Sequence, residues 1–215
     1  MEIISDTALI SWKKALSFIF ENGNETMDQG KRICKSVNNL VITINSPEDI
    51  GEPINKIQEL NEFVYPSKEE LRNTILNKIS SSGYDYSYGA RLFDYSQVKN
   101  QIDNYIIPLL KNVPNTRRAI AIVYDPLSDS ILKKESVPGL ISIYFSIEQN
   151  CLNICMIIRS NDIFIGWPAN IYHASVLQKY VCDKLKLLPG KISTFSISAL
   201  VFQDNFESIK KIINE

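Results

Sequence analysis

The spacing of apolar positions switches between helical and alternating along the chain, and each switch predicts an element. Thr7-Ala8-Leu9-Ile10-Ser11-Trp12 through Phe20-Glu21 is amphipathic at helical period and stops at Asn22-Gly23-Asn24, so a helix is expected over 7–21. Leu40-Val41-Ile42-Thr43-Ile44 is short and β-branched, hence a strand, closed by Asn45-Ser46-Pro47. Helical patterns follow at 54–64 and, after Pro66-Ser67 and Lys68-Glu69-Glu70, from a capped start to about Ile79. Ser80-Ser81-Ser82-Gly83 reads as a loop, Tyr84 to Tyr95 as aromatic and irregular, and Gln97 to Leu110 as helical. Strands are expected at 118–124, 141–147 and 152–159, then a helix at 170–187, a strand at 193–202 and a closing helix at 206–213. No internal repeat or linker-like run interrupts this order, so residues 1–215 predict one mixed α/β (α+β) domain.

Glu148-Gln149-Asn150-Cys151 has the length of a tight hairpin turn. With Gln149 and Asn150 at the tip, Glu148 faces Cys151, and counting back places Gly139 opposite Ser160, beside Arg159. Cys155 then lies five residues nearer the turn, roughly 16 Å from position 139 at strand rise.

Composition narrows the field. At 215 residues, 45% apolar and 22% charged, the chain can bury one substantial core. Its 23 basic and 24 acidic residues create no global field, so neither nucleic acid nor a membrane is an expected partner. No apolar run approaches the ~18 residues of a membrane span, and Lys13 and Lys14 interrupt the stretch from Met1 to Phe20, which argues against a signal peptide. A cytoplasmic protein is expected. Cys34, Cys151, Cys155, Cys182 and the single His173 show no metal-ligand spacing, so no metal site is expected and the thiols read as small apolar residues.

The densest chemistry lies in Arg159-Ser160-Asn161-Asp162-Ile163-Phe164-Ile165-Gly166-Trp167-Pro168-Ala169-Asn170-Ile171, between a strand and a helix. Arginine supplies a fork for phosphate or carboxylate, and asparagine a paired donor and acceptor for a flat heterocycle edge. From about Tyr88 onward the residues resemble the thymidylate synthase superfamily, which includes the pyrimidine nucleotide hydroxymethylases. Arg159-Ser160-x-Asp162 with Gly166-x-Pro168-x-Asn170-Ile171 carries the resemblance, supported by Pro114-x-x-Arg117-Arg118, Tyr88-Gly89 and Gln101-Ile102. It implies a thymidylate-synthase-like mixed sheet with flanking helices and a homodimer binding a small phosphorylated ligand. Arg159 and Ser160 would hold the phosphate, joined by Arg117 and Arg118 across the two-fold interface and by Arg32 of Gly30-Lys31-Arg32. Asn170 would read the pyrimidine edge, with Asp162 and Gly166 in the same block, and Tyr88 would handle protons.

Departures from the family pattern are as informative. The family's nucleophilic cysteine follows a proline twenty residues before the Arg-Ser pair, whereas Pro138 here is followed by Gly139. Glycine cannot add to carbon-6 of a pyrimidine. Leu200 and Phe202 stand where the family carries a His and a Tyr for the ribose hydroxyl. The C-terminus, Ile212-Ile213-Asn214-Glu215, leaves little to form the family's folate-covering tail, which weighs against methylenetetrahydrofolate as a tightly bound one-carbon donor. Glu59 and Glu62 both fit the family's general acid.

Each residue also has a plainer reading. The three arginines can be ion-pair partners, Ser160 a strand end, Asn170 the N-cap of the 171–187 helix, and Tyr88 a core aromatic. His173, one helical turn beyond Asn170, is either a proton carrier or a surface or satisfied core histidine. Trp167 is expected in or over the pocket. Three functions remain open: a transferase acting without a cysteine adduct on a pyrimidine nucleotide or related phosphorylated heterocycle, a catalytically silent dimeric nucleotide-binding or sensing protein, and a pocket turned to a different anion.

Overall fold

The computed structural model describes residues 1–62, 64–77, 87–134 and 136–214. Its strands are β1 (Glu2–Ser5), β2 (Asn24–Met27), β3 (Ile33–Ile44), β4 (Ile120–Ile122), β5 (Leu140–Glu148), β6 (Cys151–Asp162) and β7 (Leu188–Phe202). They form one mixed sheet ordered β1-β3-β7-β6-β5-β4, with β2 pairing the far end of β3. β6 and β7 run parallel, joined by the longest helix, α7 (Gly166–Leu185), and β1 runs parallel to β3 across α1 (Ala8–Asn22). α7 and α1 bury Trp167, Leu177, Trp12 and Leu16 against the inward positions Ile42, Ile154, Met156 and Phe145. The remaining helices are α2 (Glu52–Glu59), α3 (Lys68–Leu76), α4 (Tyr88–Phe93), α5 (Ile107–Asn112, entered through a π-helical turn at Ile102–Ile106), α6 (Pro126–Asp129) and α8 (Phe206–Asn214). The mixed α/β expectation holds.

Local chemistry accounts for most boundaries. Thr7 caps α1 by accepting from the Ile10 amide, and Ser67 with Glu70 forms a reciprocal capping box on α3. α7 begins at Gly166, four residues before the expected start, because Pro168 falls in the first turn, where no intrahelical partner is lost. Asn170 therefore lies inside the helix, and its reading as the N-cap is overturned. The strand at 40–44 extends back to Ile33 and the last strand begins at Leu188. The strand expected at 118–124 is ordered as a strand only at Ile120–Ile122, and the helix expected to 64 ends at Glu59. Within the region read as aromatic and irregular, Tyr88–Phe93 is helical; the loop at 80–83 and residues 84–86 lie outside the described residues.

The hairpin turn is as expected at its tip. Glu148 pairs with Cys151, and Gln149 and Asn150 take φ of 50° and 63°, as a type I′ turn requires. Nearer the ligand end the register slips between Leu140 and Ser142. Ile141 is the extra residue, and its carbonyl instead accepts from the Val123 and Tyr124 amides. Arg159 N–H consequently donates to the Gly139 carbonyl at 2.7 Å, so Gly139 faces Arg159 and not Ser160.

Regular alternation of burial also breaks in one layer across three strands. It stops at Arg159-Ser160 in β6, at Ile197-Ser198 in β7 and at Asn38-Asn39 in β3, where Asn39 takes φ 57°. Ser160 pairs Ser198, which pairs Asn38, so the three breaks align. On the side away from the helices the sheet stays open, with Ile4 52%, Ile120 42%, Ile122 42% and Ile197 41% exposed. At the β4 edge the Gln101 amide acts as a substitute strand, accepting from Ile122 N–H at 2.9 Å and donating to its carbonyl at 2.7 Å.

Candidate functional site

Gly139, Arg159 and Ser160 meet where β5 and β6 leave the bulge. Arg159 and Ser160 are exposed, and the Arg159 guanidinium reaches the Val137 carbonyl at 3.4 Å. A Cβ placed on Gly139 would lie 3.3 Å from the Ser160 carbonyl oxygen and 4.0 Å from the Tyr88 hydroxyl, so position 139 points at Tyr88. Tyr88 opens α4, which Ser87 caps by accepting from Ala90 N–H at 3.0 Å. Behind it stands His173 of α7, edge-on to the Tyr88 ring at 5.8 Å between centroids. His173 is buried with neither ring nitrogen hydrogen-bonded, and burial pushes its pKa down to about 4. It is neutral at physiological pH, unlike a solvent-coupled proton carrier.

One turn before His173, Asn170 donates through Nδ2 to Asn161 Oδ1 at 3.1 Å, and Asn161 donates to Ser196 Oγ at 2.9 Å. This chain commits the Asn170 Nδ2 as a donor to Asn161, which leaves Oδ1 as the acceptor of its amide. Asn161, the unassigned position of the Arg-Ser-x-Asp block, is thus the residue that orients Asn170; its type gave no signal of that. Gly166 lies against Asn161 and Asp162. Asp162 Oδ1 accepts from the Phe164 amide at 2.9 Å and the Ile165 amide at 3.4 Å, an Asx turn leading into α7. Burial raises its pKa to about 6, opposed by those amides and by the nearby Arg32.

The turn is braced from afar. Trp12 Nε1 donates to the Ile163 carbonyl at 2.7 Å, and the Tyr65 hydroxyl donates to Ile165 O at 2.7 Å. Trp167 is fully buried and donates to Thr194 Oγ1 at 2.9 Å, so it is a core residue and not a pocket lid. Arg91, three residues past Tyr88, pairs with Asp125 at 3.3 Å and Asp129 at 3.1 Å, and Lys134 joins Asp129 at 3.0 Å. This buried ionic knot ties α4 to the segment that runs on to Gly139; no motif announced it.

Arg32 lies within electrostatic reach of Asp162, whereas the remaining expected partners stand farther off. Arg32 lies flat on Phe202, 3.6 Å from the ring centre, with Nη2 3.0 Å from Asp204. Phe202 is therefore a platform for a cation. Arg117 and Arg118 are exposed just before β4, whose register with β5 carries Arg118 past Tyr144 toward the hairpin turn. That is roughly 20 Å from Gly139 at strand rise, so a single chain does not bring them to Arg159. Glu62 accepts from Lys211 at 2.7 Å and from Ser208, and Glu59 pairs with Lys56 at 3.1 Å, so both are engaged in surface contacts. Cys155 faces Tyr144 on the open side of the sheet, and Cys34 lies three strands from β5, roughly 14 Å. Neither thiol can reach position 139. Among the described residues no cluster of His, Cys, Asp and Glu could hold a metal ion, and no helix is long and apolar enough to cross a membrane.

The chain is similar to known proteins. The profile of a family described as thymidylate synthase matches residues 55–215. A protein of Methanococcoides burtonii is 31% identical over 203 residues, 94% of this chain and 90% of its own length. One from Methanothermobacter marburgensis is 29% identical over 99% of this chain and 97% of its own, and one from Methanocaldococcus jannaschii 29% over 92% and 89%. All three bear the name "Putative thymidylate synthase".

Proposed function

Because the chain belongs to the thymidylate synthase family, we propose that it is a transferase acting on a pyrimidine nucleotide or closely related phosphorylated heterocycle, without a covalent cysteine adduct. The observation that supports this reading is that Gly139 lies against Arg159, Ser160 and Tyr88, with His173 against Tyr88 and Asn170 one turn before it on the same helix. Phosphate binds the exposed Arg159 fork and Ser160. Asn170 Oδ1 accepts a ring N–H, which favours a uracil-like edge. Tyr88 exchanges a proton with the ligand, and neutral His173 packs edge-on against the tyrosine ring and holds it in place. Positioning and acid–base work replace nucleophilic addition.

The second arginine set enters through dimerisation. The uncovered sheet face, with Ile4, Ile120, Ile122 and Ile197, supports an isologous contact between two copies. Such a contact offers Arg117 and Arg118 to the partner's Arg159, which no single chain supplies. A silent nucleotide-binding dimer is the competing reading, favoured by the missing thiol alone.

Two measurements test the proposal. A thermal-shift screen of nucleoside monophosphates is expected to find ligands that stabilise the protein by about 2.7 kcal/mol at a hundredfold excess over the dissociation constant, and Arg159→Ala abolishes the shift. Deuterium exchange at carbon-5 of the bound ring reports activation. Exchange above the solvent background supports the enzyme, and its absence across every ligand that binds leaves the silent dimer.

A further inference from the structure

Several side-chain amides of this chain are held by backbone groups of fixed polarity. Gln178 Nε2 donates to the Leu152 and Gly190 carbonyls at 2.7 and 3.1 Å, and Asn153 Oδ1 accepts from the Lys191 N–H at 2.8 Å. Gln101 accepts from the Ile122 N–H and donates to its carbonyl. A carbonyl only accepts and a backbone N–H only donates, so none of these amides can turn over. The chain from Asn170 through Asn161 to Ser196 is different. Asn170 Nδ2 donates to Asn161 Oδ1 at 3.1 Å, Asn161 Nδ2 donates to Ser196 Oγ at 2.9 Å, and the chain ends on that hydroxyl. Asn161 is 1% and Ser196 0% exposed, so the inner end is closed to solvent, while Asn170 is only partly buried.

A hydroxyl both accepts and donates. When Ser196 donates to Asn161 Oδ1, Asn161 Nδ2 donates to Asn170 Oδ1, and Asn170 Nδ2 becomes the free group. This reversed sense keeps both hydrogen bonds and the same packing, because the two ends of a carboxamide are nearly the same size. We propose that Asn170, Asn161 and Ser196 form a reversible relay that lets the site take ring edges of either polarity, an oxo edge with a ring N–H or an amino edge with a bare ring nitrogen. This rests on the reading that Asn170 meets the ligand, and it widens the substrate class from a uracil-like ring to both kinds of pyrimidine. In the observed sense Asn170 offers Oδ1 to a ring N–H; in the reversed sense it offers Nδ2 to a ring nitrogen. The ligand selects the sense, since binding favours the state that pairs with it. Asn161 and Ser196 are positioning residues that act through Asn170.

Calorimetric titration of the full chain with uridine and cytidine 5′-monophosphates tests the relay. The two wild-type dissociation constants are expected to lie within roughly tenfold of one another, whereas an amide fixed in one sense separates them further. Asn161→Asp supplies a carboxylate that only accepts, from Ser196 and from Asn170 Nδ2, and so fixes Oδ1 as the free group. This variant is expected to retain uridylate and to lose cytidylate by roughly tenfold or more. A merely structural role for Asn161 weakens both nucleotides alike, and an unchanged ratio overturns the relay. A wild-type preference beyond tenfold for either nucleotide also overturns it and leaves the nucleotide reading standing. If Asn161→Asp does not fold, Ser196→Ala, which leaves Asn161 without its inner partner, is expected to weaken both nucleotides by similar factors; undiminished binding of either overturns the relay. Failure of both nucleotides to bind the wild type overturns the relay and the nucleotide reading together.

Discussion

At the scale of single residues, a buried imidazole and a half-buried carboxylate in the site oppose one another. His173 has its pKa lowered from 6.5 to about 4, so it contributes stability that is present above pH 6.5 and lost as pH falls through 4. Asp162 has its pKa raised from 3.8 to about 6, so its contribution is present below 3.8 and lost as pH rises through 6. Across the shared window the two slopes have opposite sign, and the wild type is expected to show little net pH dependence from this pair. Separation reveals them. Asp162→Asn keeps an acceptor for the Phe164 and Ile165 amides and removes the buried charge, so it is expected to stabilise by about 1–3 kcal/mol near neutral pH and by much less near pH 4. His173→Gln is expected to remove the loss on acidification, about 1.4 kcal/mol per pH unit. Urea unfolding of the three proteins at about pH 7 and about pH 5 reads both effects; parallel pH profiles would refute them. These environments were invisible in the residue order, because burial of a carboxylate or an imidazole depends on what packs over it.

At the scale of elements, the turn between β6 and α7 owes its position to distant donors. Trp12→Phe removes the bond to Ile163 O, and Tyr65→Phe the bond to Ile165 O. Each leaves a backbone carbonyl unpaired, and a loss of about 1–3 kcal/mol in urea unfolding is expected, with weaker ligand binding although neither side chain touches the ligand. Arg91→Met tests the knot beneath α4. It strands Asp125 and Asp129 with Lys134 as their remaining cation, and a loss of about 3 kcal/mol or more is expected. A variant within about 0.5 kcal/mol of wild type would mean that the knot is dispensable. Caps and turn chemistry made the helices and the β5–β6 tip legible, since Ser67, Thr7 and Gln149-Asn150 act on their own neighbours. The bulge at Ile141 was not, because an extra residue becomes visible only once β4 and β6 pair on either side of it. The start of α7 escaped for a different reason: proline ends helices in general but not in a first turn.

At the scale of the whole molecule, the proposed dimer would draw Arg159 from one copy and Arg117–Arg118 from the other into one site. Ile120→Lys on the open sheet face is expected to yield monomers that no longer bind nucleotide, as measured by light scattering and thermal shift. Mixing Arg159→Ala with an Arg117→Ala/Arg118→Ala double variant is expected to restore about a quarter of the sites, because half the reassorted dimers carry one intact site of two. No recovery would mean that the arginines serve different sites or none. Motif spacing from residue 88 onward sufficed for the family, the mixed α/β class and the absence of a cysteine at position 139, because these depend on residue identity and separation along the chain. Which groups share a cavity did not follow from it. Asn161 behind Asn170, His173 behind Tyr88, Arg32 on Phe202 and the distance from Arg118 to Arg159 come from packing and strand register, which join residues far apart in the chain and so leave no trace in their local order.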